Sequence, residues 1–173
     1  NKVCEFSNAT TTQFYDPRKN AWSTELLTGL GLPTHFLPEI VQPGTEVGKL
    51  LPSIASATGL NAVPVIAPAT HDTGSAVAAV PAETRDYAYI SSGTWSLMGV
   101  ELDEPLISDK ALQYNFTNEG GVGPNYRFLK NIMGLWLVQE CRRAWQREGR
   151  DFSYEQLTAM ARDAVPFVAL IEP

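Results

Sequence analysis

The sequence has little positive charge, few cysteines and no long hydrophobic run. Its 173 residues carry 13 Lys and Arg against 19 Asp and Glu, which gives a formal net charge of −6 and a pI near 4.9. Nucleic acids and anionic membranes attract proteins that present a basic face, so this balance argues against both as partners. No apolar stretch approaches the roughly 20 residues that a membrane-spanning helix requires.

The two cysteines, Cys4 and Cys141, lie far apart and form no Cys-x-x-Cys pair. No histidine lies close to either of them, since the two histidines of the chain are His35 and His71. This spacing argues against a zinc site and against a disulfide scaffold. Two unpaired thiols are typical of a cytosolic protein, so we expect a cytoplasmic location.

Hydrophobic residues make up 44% of the chain and charged residues 18%, which is enough to build a sizeable core. Before residue 62 the pattern predicts two short helices, over residues 21–30 with Ser23 as N-cap and over residues 52–59 with Gly59 as the stop signal. After residue 62 strands and helices alternate, which favours an α/β or α+β domain. We therefore expect a domain boundary near residue 62.

In this second region the periodicity predicts a buried strand over residues 63–67 and a small-residue helix over residues 74–80. It also predicts a strand hairpin, a third strand and two further helices, the last with a Ser153–Gln156 capping box. Those elements cover residues 87–91, 95–100, 126–129, 134–146 and 152–163. The final apolar stretch, residues 167–173, is typical of a buried strand, and we expect the chain to be a fragment of a longer protein.

Asp72 is the first candidate for chemistry, because it lies where a strand gives way to a helix N-terminus. Ligands bind at the carboxyl ends of strands in open α/β sheets, and the helix dipole favours an ionised carboxylate that can accept a proton. The alternative is that Asp72 or Thr73 merely caps the helix, which is the commoner role of such residues. His71 is as compatible with a structural role as with a substrate contact.

The second candidate is the hairpin tip at residues 91–96, where Gly93 would let backbone amides approach an anion and Thr94 would add a hydroxyl donor. An ordinary tight turn explains the same residues. Further along, Asn131 could orient a sugar hydroxyl, and Gln139 follows it by two helical turns. Trp136 and Met133 are typical of a helix core rather than of a ligand platform. Serine-hydrolase chemistry is disfavoured, because the chain has no Gly-x-Ser-x-Gly elbow.

Taken in order, several segments resemble the FGGY carbohydrate kinases. The matching segments are residues 8–13 (NATTTQ) with Trp22 downstream, 71–73 (HDT), 91–99 (SSGTWSLMG), 117–121 (TNEGG) and 129–137 (LKNIMGLWL). The resemblance implies an α/β, actin-like ATPase (ribonuclease H-like) fold with the active site between two domains. It implies that residues 1–62 end the first domain and residues 63–173 begin the second, incomplete one. Within the family, the HDT and KNIMGLW segments point to kinases of a deoxy-ketose, with L-rhamnulose as the expected sugar.

The resemblance also implies a role for each candidate residue. It implies ATP and Mg²⁺ as cofactors. By motif position, Asp72 resembles the catalytic base, His71, Thr73 and Asn131 resemble sugar contacts, and Thr94 and Gln139 resemble ATP contacts. The family's N-terminal Asp-Gly phosphate loop and its later Gly-rich adenosine loop do not occur in the 173 residues. We therefore expect this stretch alone to be inactive. Alternatives to the kinase are a sugar- or nucleotide-sensing module and an actin-like ATPase that phosphorylates nothing.

Overall fold

The computed structural model describes residues 2–171, and the chain divides into two compact units. The first unit comprises the residues up to Ser91 together with Leu97–Lys130, and the second comprises Ser92–Ser96 together with the residues from Asn131 onward. In chain order the elements are β1 (Val3–Glu5), α1 (Phe6–Ala9), β2 (Tyr15–Asp16), β3 (Ala21–Trp22), α2 (Thr24–Gly29), β4 (Glu39–Val41), β5 (Glu46–Lys49), α3 (Pro52–Thr58), β6 (Pro64–Ile66), α4 (Asp72–Ala78), β7 (Ala88–Ser92), β8 (Trp95–Leu102), α5 (Asp109–Gln113), β9 (Phe116–Gly120), β10 (Tyr126–Met133), α6 (Trp136–Arg147) and α7 (Tyr154–Asp163).

A four-stranded sheet with the strand order β7-β8-β10-β9 supplies the core of the first unit. Strands β9 and β10 are antiparallel, with Tyr126 opposite Gly120. Val77 of α4 packs with Tyr89 and Leu129 from the sheet, and all three are buried. This cluster fixes α4 against one face of the sheet, because apolar side chains leave water where helix and sheet meet.

The smaller sheets of the first unit have two strands each. Strand β1 pairs in parallel with β4, while β2 pairs with β3 and β5 with β6 in antiparallel fashion. The short helix α1 follows β1 directly, and its Phe6 ring packs edge-on against Tyr126 with the ring centroids 5.5 Å apart. This contact holds α1 close to β10.

In the second unit, helices α6 and α7 are joined by a turn that Arg142 holds in place. The guanidinium of Arg142 donates from Nε to the Phe152 carbonyl at 2.6 Å and lies 5.0 Å from the centroid of the Tyr154 ring. Trp145 packs edge-on against Phe152, with the ring centroids 5.5 Å apart. These contacts of Arg142 and Trp145 fix the start of α7.

Several predicted elements are confirmed. Helix α3 ends at Thr58 and is capped by Gly59, which has a φ of 71° that glycine adopts without strain. The predicted hairpin strands appear as β7 and β8, and the two C-terminal helices appear as α6 and α7. The Ser153–Gln156 capping box is present, with both of its hydrogen bonds. The helix predicted over residues 74–80 begins two residues earlier, at Asp72.

Three predictions need correction. The helix predicted over residues 21–30 is present as α2 with Ser23 at its N-cap, but it begins only at Thr24, because Ala21 and Trp22 pair with β2 and the Trp22 indole donates to the Pro38 carbonyl. The strand predicted over residues 63–67 is exposed rather than buried, because β6 pairs with β5 in a two-stranded ribbon. Residues 167–171 form no strand and are largely exposed, since no described strand pairs with them. Residues 172–173 lie outside the described part of the chain.

Both cysteines are free, which confirms the expectation of unpaired thiols. Within residues 2–171, none of the helices has the length and apolar character needed to span a bilayer.

Candidate active site

Asp72 opens helix α4 with its side chain 98% exposed. Its Oδ1 atom accepts a hydrogen bond of 2.7 Å from the Thr73 backbone amide. Among the described residues, every polar contact of this carboxylate involves Oδ1. The second oxygen, Oδ2, is therefore available to a ligand in solution.

His71 precedes Asp72 and is half-buried, with contacts at both ring nitrogens. Nδ1 lies 2.9 Å from Nη2 of Arg127 and 3.4 Å from Oε2 of Glu119, while Nε2 lies 3.7 Å from Oδ1 of Asp72. The backbone amide of His71 donates to Oγ of Ser7 at 3.2 Å. Arg127 and Glu119 thus hold the ring on its Nδ1 side, and its Nε2 side is directed toward the exposed carboxylate of Asp72.

Arg127 lies on β10 with its side chain fully buried. Nε donates to the Gly120 carbonyl and Nη2 donates to Glu119, each at 3.1 Å. Nη1 and the buried hydroxyl of Tyr89 have no hydrogen-bond partner within the described residues. Burial raises the pKa of Tyr89 to about 12, although the positive charge of Arg127 acts in the opposite direction. Glu119 is the carboxylate that pairs with this buried guanidinium.

Glu5 holds the loop before Asp72 from another side, and only 4% of this residue is exposed. Its carboxylate accepts four hydrogen bonds of 2.6–2.9 Å, from the amide and hydroxyl of both Ser7 and Thr70. Burial alone would raise the pKa of Glu5, but these hydrogen bonds outweigh it, and the pKa lies below its ordinary value. An ionised carboxylate therefore links α1 to the residues that lead into α4.

In the second unit, the hairpin tip contacts the start of α6 through backbone groups. The Gly93 and Thr94 carbonyls accept hydrogen bonds from the Leu135 and Trp136 amides, at 2.9 and 3.1 Å. A Cβ on Gly134 would lie 2.5 Å from the Gly93 carbonyl oxygen, so only glycine fits at that position. The Thr94 side chain is left exposed beside the helix N-terminus.

Gln139 is half-buried on α6 and lines a cavity of about 560 Å³ between α6 and α7. The other lining residues are mainly apolar and are Leu135, Val138, Tyr154, Leu157, Thr158 and Ala161. Asn131 is exposed near the end of β10. The core role predicted for Trp136 is wrong, because 40% of that residue is exposed.

The structure brings His71, Asp72 and Thr73 together in the first unit, and it places Thr94, Asn131 and Gln139 in the second. The sequence-based prediction missed the residues that hold the first group. These are Glu5, Ser7, Thr70, Glu119 and Arg127. One signal was present in the sequence, since an arginine interrupts the apolar strand at residues 126–129, and a buried arginine requires a partner.

The described residues include no group of three or more His, Cys, Asp or Glu that could hold a metal ion. Mg²⁺ usually keeps several waters and binds through one or two carboxylates together with substrate phosphates. Within residues 2–171, the donors therefore do not form a protein cage for a metal ion.

Known carbohydrate kinases resemble this chain in sequence. The chain matches the N-terminal domain of the FGGY family of carbohydrate kinases over residues 1–79 and the C-terminal domain over residues 88–173. It is 48% identical to a rhamnulokinase of Bacteroides thetaiotaomicron over 99% of this chain and 34% of that protein. It is 49% identical to a rhamnulokinase of Pectobacterium atrosepticum over 100% of this chain and 33% of that protein. The chain thus spans about a third of the length of these curated relatives.

Solved structures show the same fold. A gluconate kinase from Lactobacillus acidophilus matches 94% of this chain and 32% of its own, with a TM-score of 0.71 and 19% identity. A ligand-bound xylulose kinase from the same organism matches equal shares, with a TM-score of 0.70 and 19% identity. The fold is therefore the actin-like ATPase fold of the sugar kinases, as predicted. The chain belongs to the FGGY family of carbohydrate kinases.

Proposed function

We propose that the chain is the central part of an ATP-dependent ketose kinase that converts L-rhamnulose to L-rhamnulose 1-phosphate in rhamnose catabolism. The choice of sugar rests on the rhamnulokinases to which the chain is 48% and 49% identical. The choice of reaction rests on one observation, the exposed carboxylate of Asp72 at the start of α4. A sensing module would have no use for a base at that position.

Asp72 would accept the proton of the 1-hydroxyl while the sugar oxygen attacks the γ-phosphorus of ATP. A bond forms between that oxygen and the phosphorus, the bond to the β-phosphate oxygen breaks, and ADP leaves. Two features support this role. The Thr73 amide donates to Oδ1 and orients the carboxylate, and Oδ2 has no described partner that would compete with the sugar.

The remaining candidate residues divide into two groups by their chemistry. His71, Thr73 and Asn131 offer a ring N–H, a hydroxyl and an amide, which are groups that recognise sugar hydroxyls. Thr94 would contact the ATP phosphates, and Gln139 would contact the nucleotide from the mainly apolar cavity between α6 and α7. Mg²⁺ bound to ATP would supply charge neutralisation during transfer.

The predicted domain limits, 1–62 and 63–173, remain part of this proposal. Limited proteolysis of the full-length protein, with cleavage sites identified by mass spectrometry, tests the boundary near residue 62. We also propose a cytoplasmic location, where ATP is available and free thiols such as Cys4 and Cys141 persist. Fractionation of cells that produce the full-length protein tests that location.

The reaction is tested in the full-length protein by coupled ADP release with L-rhamnulose, L-fuculose and L-ribulose. We expect the highest kcat/KM with L-rhamnulose. Asp72→Ala should lower kcat about 1,000-fold, within the range for loss of a general base, and should retain sugar binding. Asp86→Ala removes another exposed carboxylate and should leave the rate unchanged.

Near-normal turnover in Asp72→Ala would remove this residue from the mechanism. Sugar binding by the wild-type protein without ADP release would replace the kinase with a sensor, and ADP release without any sugar would indicate a simple ATPase. The isolated 173-residue chain should show no sugar-dependent turnover.

A further inference from the structure

The surroundings of His71 determine which of its ring nitrogens carries the proton. Nη2 of Arg127 lies 2.9 Å from Nδ1, and Oε2 of Glu119 lies 3.4 Å from the same atom. Arginine has only donors and stays protonated in proteins. Since two N–H groups facing each other at 2.9 Å would repel, Nδ1 accepts the hydrogen bond from Arg127 and carries no proton.

Glu119 does not reverse this assignment, although a carboxylate near Nδ1 would by itself favour a proton there. Its Oε2 atom is already bonded to Nη2 of Arg127 at 3.1 Å, which is a shorter contact than the 3.4 Å to the ring. Nη2 has two hydrogens, so it can donate one to Glu119 and the other to His71. The donor from Nε to the Gly120 carbonyl keeps the guanidinium plane in position for both.

We propose that Arg127, oriented by Glu119 and the Gly120 carbonyl, is a positioning residue that holds His71 as the neutral tautomer with its proton on Nε2. The ring then presents an N–H on the side where Oδ1 of Asp72 lies 3.7 Å away. Arg127 lies outside the segments that carry the resemblance, and its side chain is fully buried beside β10. The chemical consequence rests on the proposed kinase function, whereas the tautomer does not.

In the active enzyme this arrangement separates two tasks. Oδ1 of Asp72 faces two N–H groups, the Thr73 amide at 2.7 Å and the His71 ring, and both favour this orientation of the carboxylate. Oδ2 is left to accept the sugar proton. With the opposite tautomer, the lone pair of Nε2 would face the carboxylate and would disfavour that same orientation.

The tautomer is tested directly by ¹⁵N NMR of the imidazole nitrogens in the full-length protein, because protonated and unprotonated ring nitrogens give well-separated signals. A His71→Gln sample identifies the signals of His71. At neutral pH we expect a neutral ring with the proton on Nε2. A proton on Nδ1, alone or together with Nε2, would overturn the proposal whether or not the protein is a kinase.

Three variants separate the role of Arg127 from that of its partner Glu119. Arg127→Met should abolish the single tautomer and lower kcat about 100-fold, the loss associated with misplacing a reacting group by about 1 Å, while KM for ATP stays unchanged. Arg127→Lys should recover part of kcat, since one ammonium donor can still reach Nδ1. Glu119→Gln should keep the proton on Nε2, because the arginine donor remains. Arg85→Met, at an exposed arginine, is the matched control and should change neither signal nor rate.

If Arg127→Met does not fold, Glu119→Gln decides the question, because a switch of the proton to Nδ1 in that variant would overturn the role given to Arg127. An unchanged tautomer and kcat in a folded Arg127→Met protein would overturn it as well. A wild-type protein with the expected tautomer and no sugar-dependent ADP release would defeat the proposed function and would support the inference about His71.

Discussion

The two units fix their candidate residues in different ways. In the first unit, buried charged side chains hold the loop that precedes Asp72, with Glu5 on one side and the Arg127–Glu119 pair on the other. In the second unit, backbone carbonyls at Gly93 and Thr94 hold the start of α6, and the space at Gly134 is only large enough for glycine. The first arrangement can be broken by removing one side chain, whereas the second can be broken only by adding atoms.

This difference between the units also determines how much stability a substitution should remove. A charge buried with its partners has already lost its hydration, so deleting one partner leaves the others without compensation. A backbone hydrogen bond at a hairpin tip is partly open to water and its loss can be replaced by solvent. We therefore expect the largest single-residue effects on stability in the first unit.

Glu5→Ala is the substitution that breaks the first arrangement most directly. It leaves the amide and hydroxyl donors of Ser7 and Thr70 without their acceptor, and we expect a loss of about 3 kcal/mol in the free energy of unfolding. Urea unfolding of the full-length protein measures the loss, and hydrogen exchange at the Ser7 and Thr70 amides locates it. Glu83→Ala, at an exposed glutamate, should change stability little. Equal midpoints for Glu5→Ala and Glu83→Ala would show that the Glu5 contacts contribute nothing.

Acid should weaken the same contact without any substitution. The pKa of Glu5 lies below its ordinary value of 4.5, because the hydrogen bonds from Ser7 and Thr70 outweigh the effect of burial. A lowered pKa means that the unfolded chain binds the proton more tightly, so the stability from Glu5 is complete above 4.5 and is lost as the pH falls through the lower, folded value. Thermal unfolding against pH should show this decline, and Glu5→Gln should flatten it. An identical acid slope in both proteins would contradict this origin.

The contrast between the units also explains what the sequence could predict. Asp72, Thr94 and Gln139 lie in segments with local signals, such as a helix start, a Gly-Thr tip and an amphipathic helix, and the structure contains all three elements. The contacts of Glu5 with Thr70 and of Arg127 with His71 join residues 65 and 56 positions apart. Such pairs depend on the folded arrangement of the strands, for which periodicity carries no information.

The burial of the apolar strands failed as a prediction for a related reason. Residues 63–67 and 167–171 have the composition of core strands, but burial requires a second surface that covers them. Strand β6 has only β5 as a neighbour, and residues 167–171 pair with no described strand. Composition predicts that a segment could be buried, and the packing of other elements decides whether it is.

Gly134→Ala tests the second arrangement by adding one methyl group. The new Cβ would approach the Gly93 oxygen to 2.5 Å and the Ser96 amide and hydroxyl to 2.8 Å, so the tip and the start of α6 must separate. We expect a loss of about 2 kcal/mol in stability, typical of overpacking, and a higher KM for ATP with an unchanged KM for the sugar. Gly29→Ala is the control, because a Cβ there meets nothing within 4 Å. Wild-type kinetics for Gly134→Ala would show that the hairpin tip takes no part in nucleotide binding.

Ser153→Ala should have the smallest effect on stability. It compares a side-chain cap at α7 with the backbone contacts that hold the start of α6. The Ser153 hydroxyl accepts the Gln156 amide at 3.2 Å, and the Gln156 side chain accepts the Ser153 amide at 2.8 Å. Loss of this capping box should cost about 1 kcal/mol and should speed hydrogen exchange in the first turn of α7. Because α7 forms one wall of the cavity that Gln139 lines, ATP binding should weaken slightly while sugar binding stays constant. Ser56→Ala, in the exposed interior of α3, removes a hydroxyl without removing a cap and should not destabilise the protein. If both serine variants behaved alike, the cap would contribute nothing to α7, and backbone contacts alone would hold the helix.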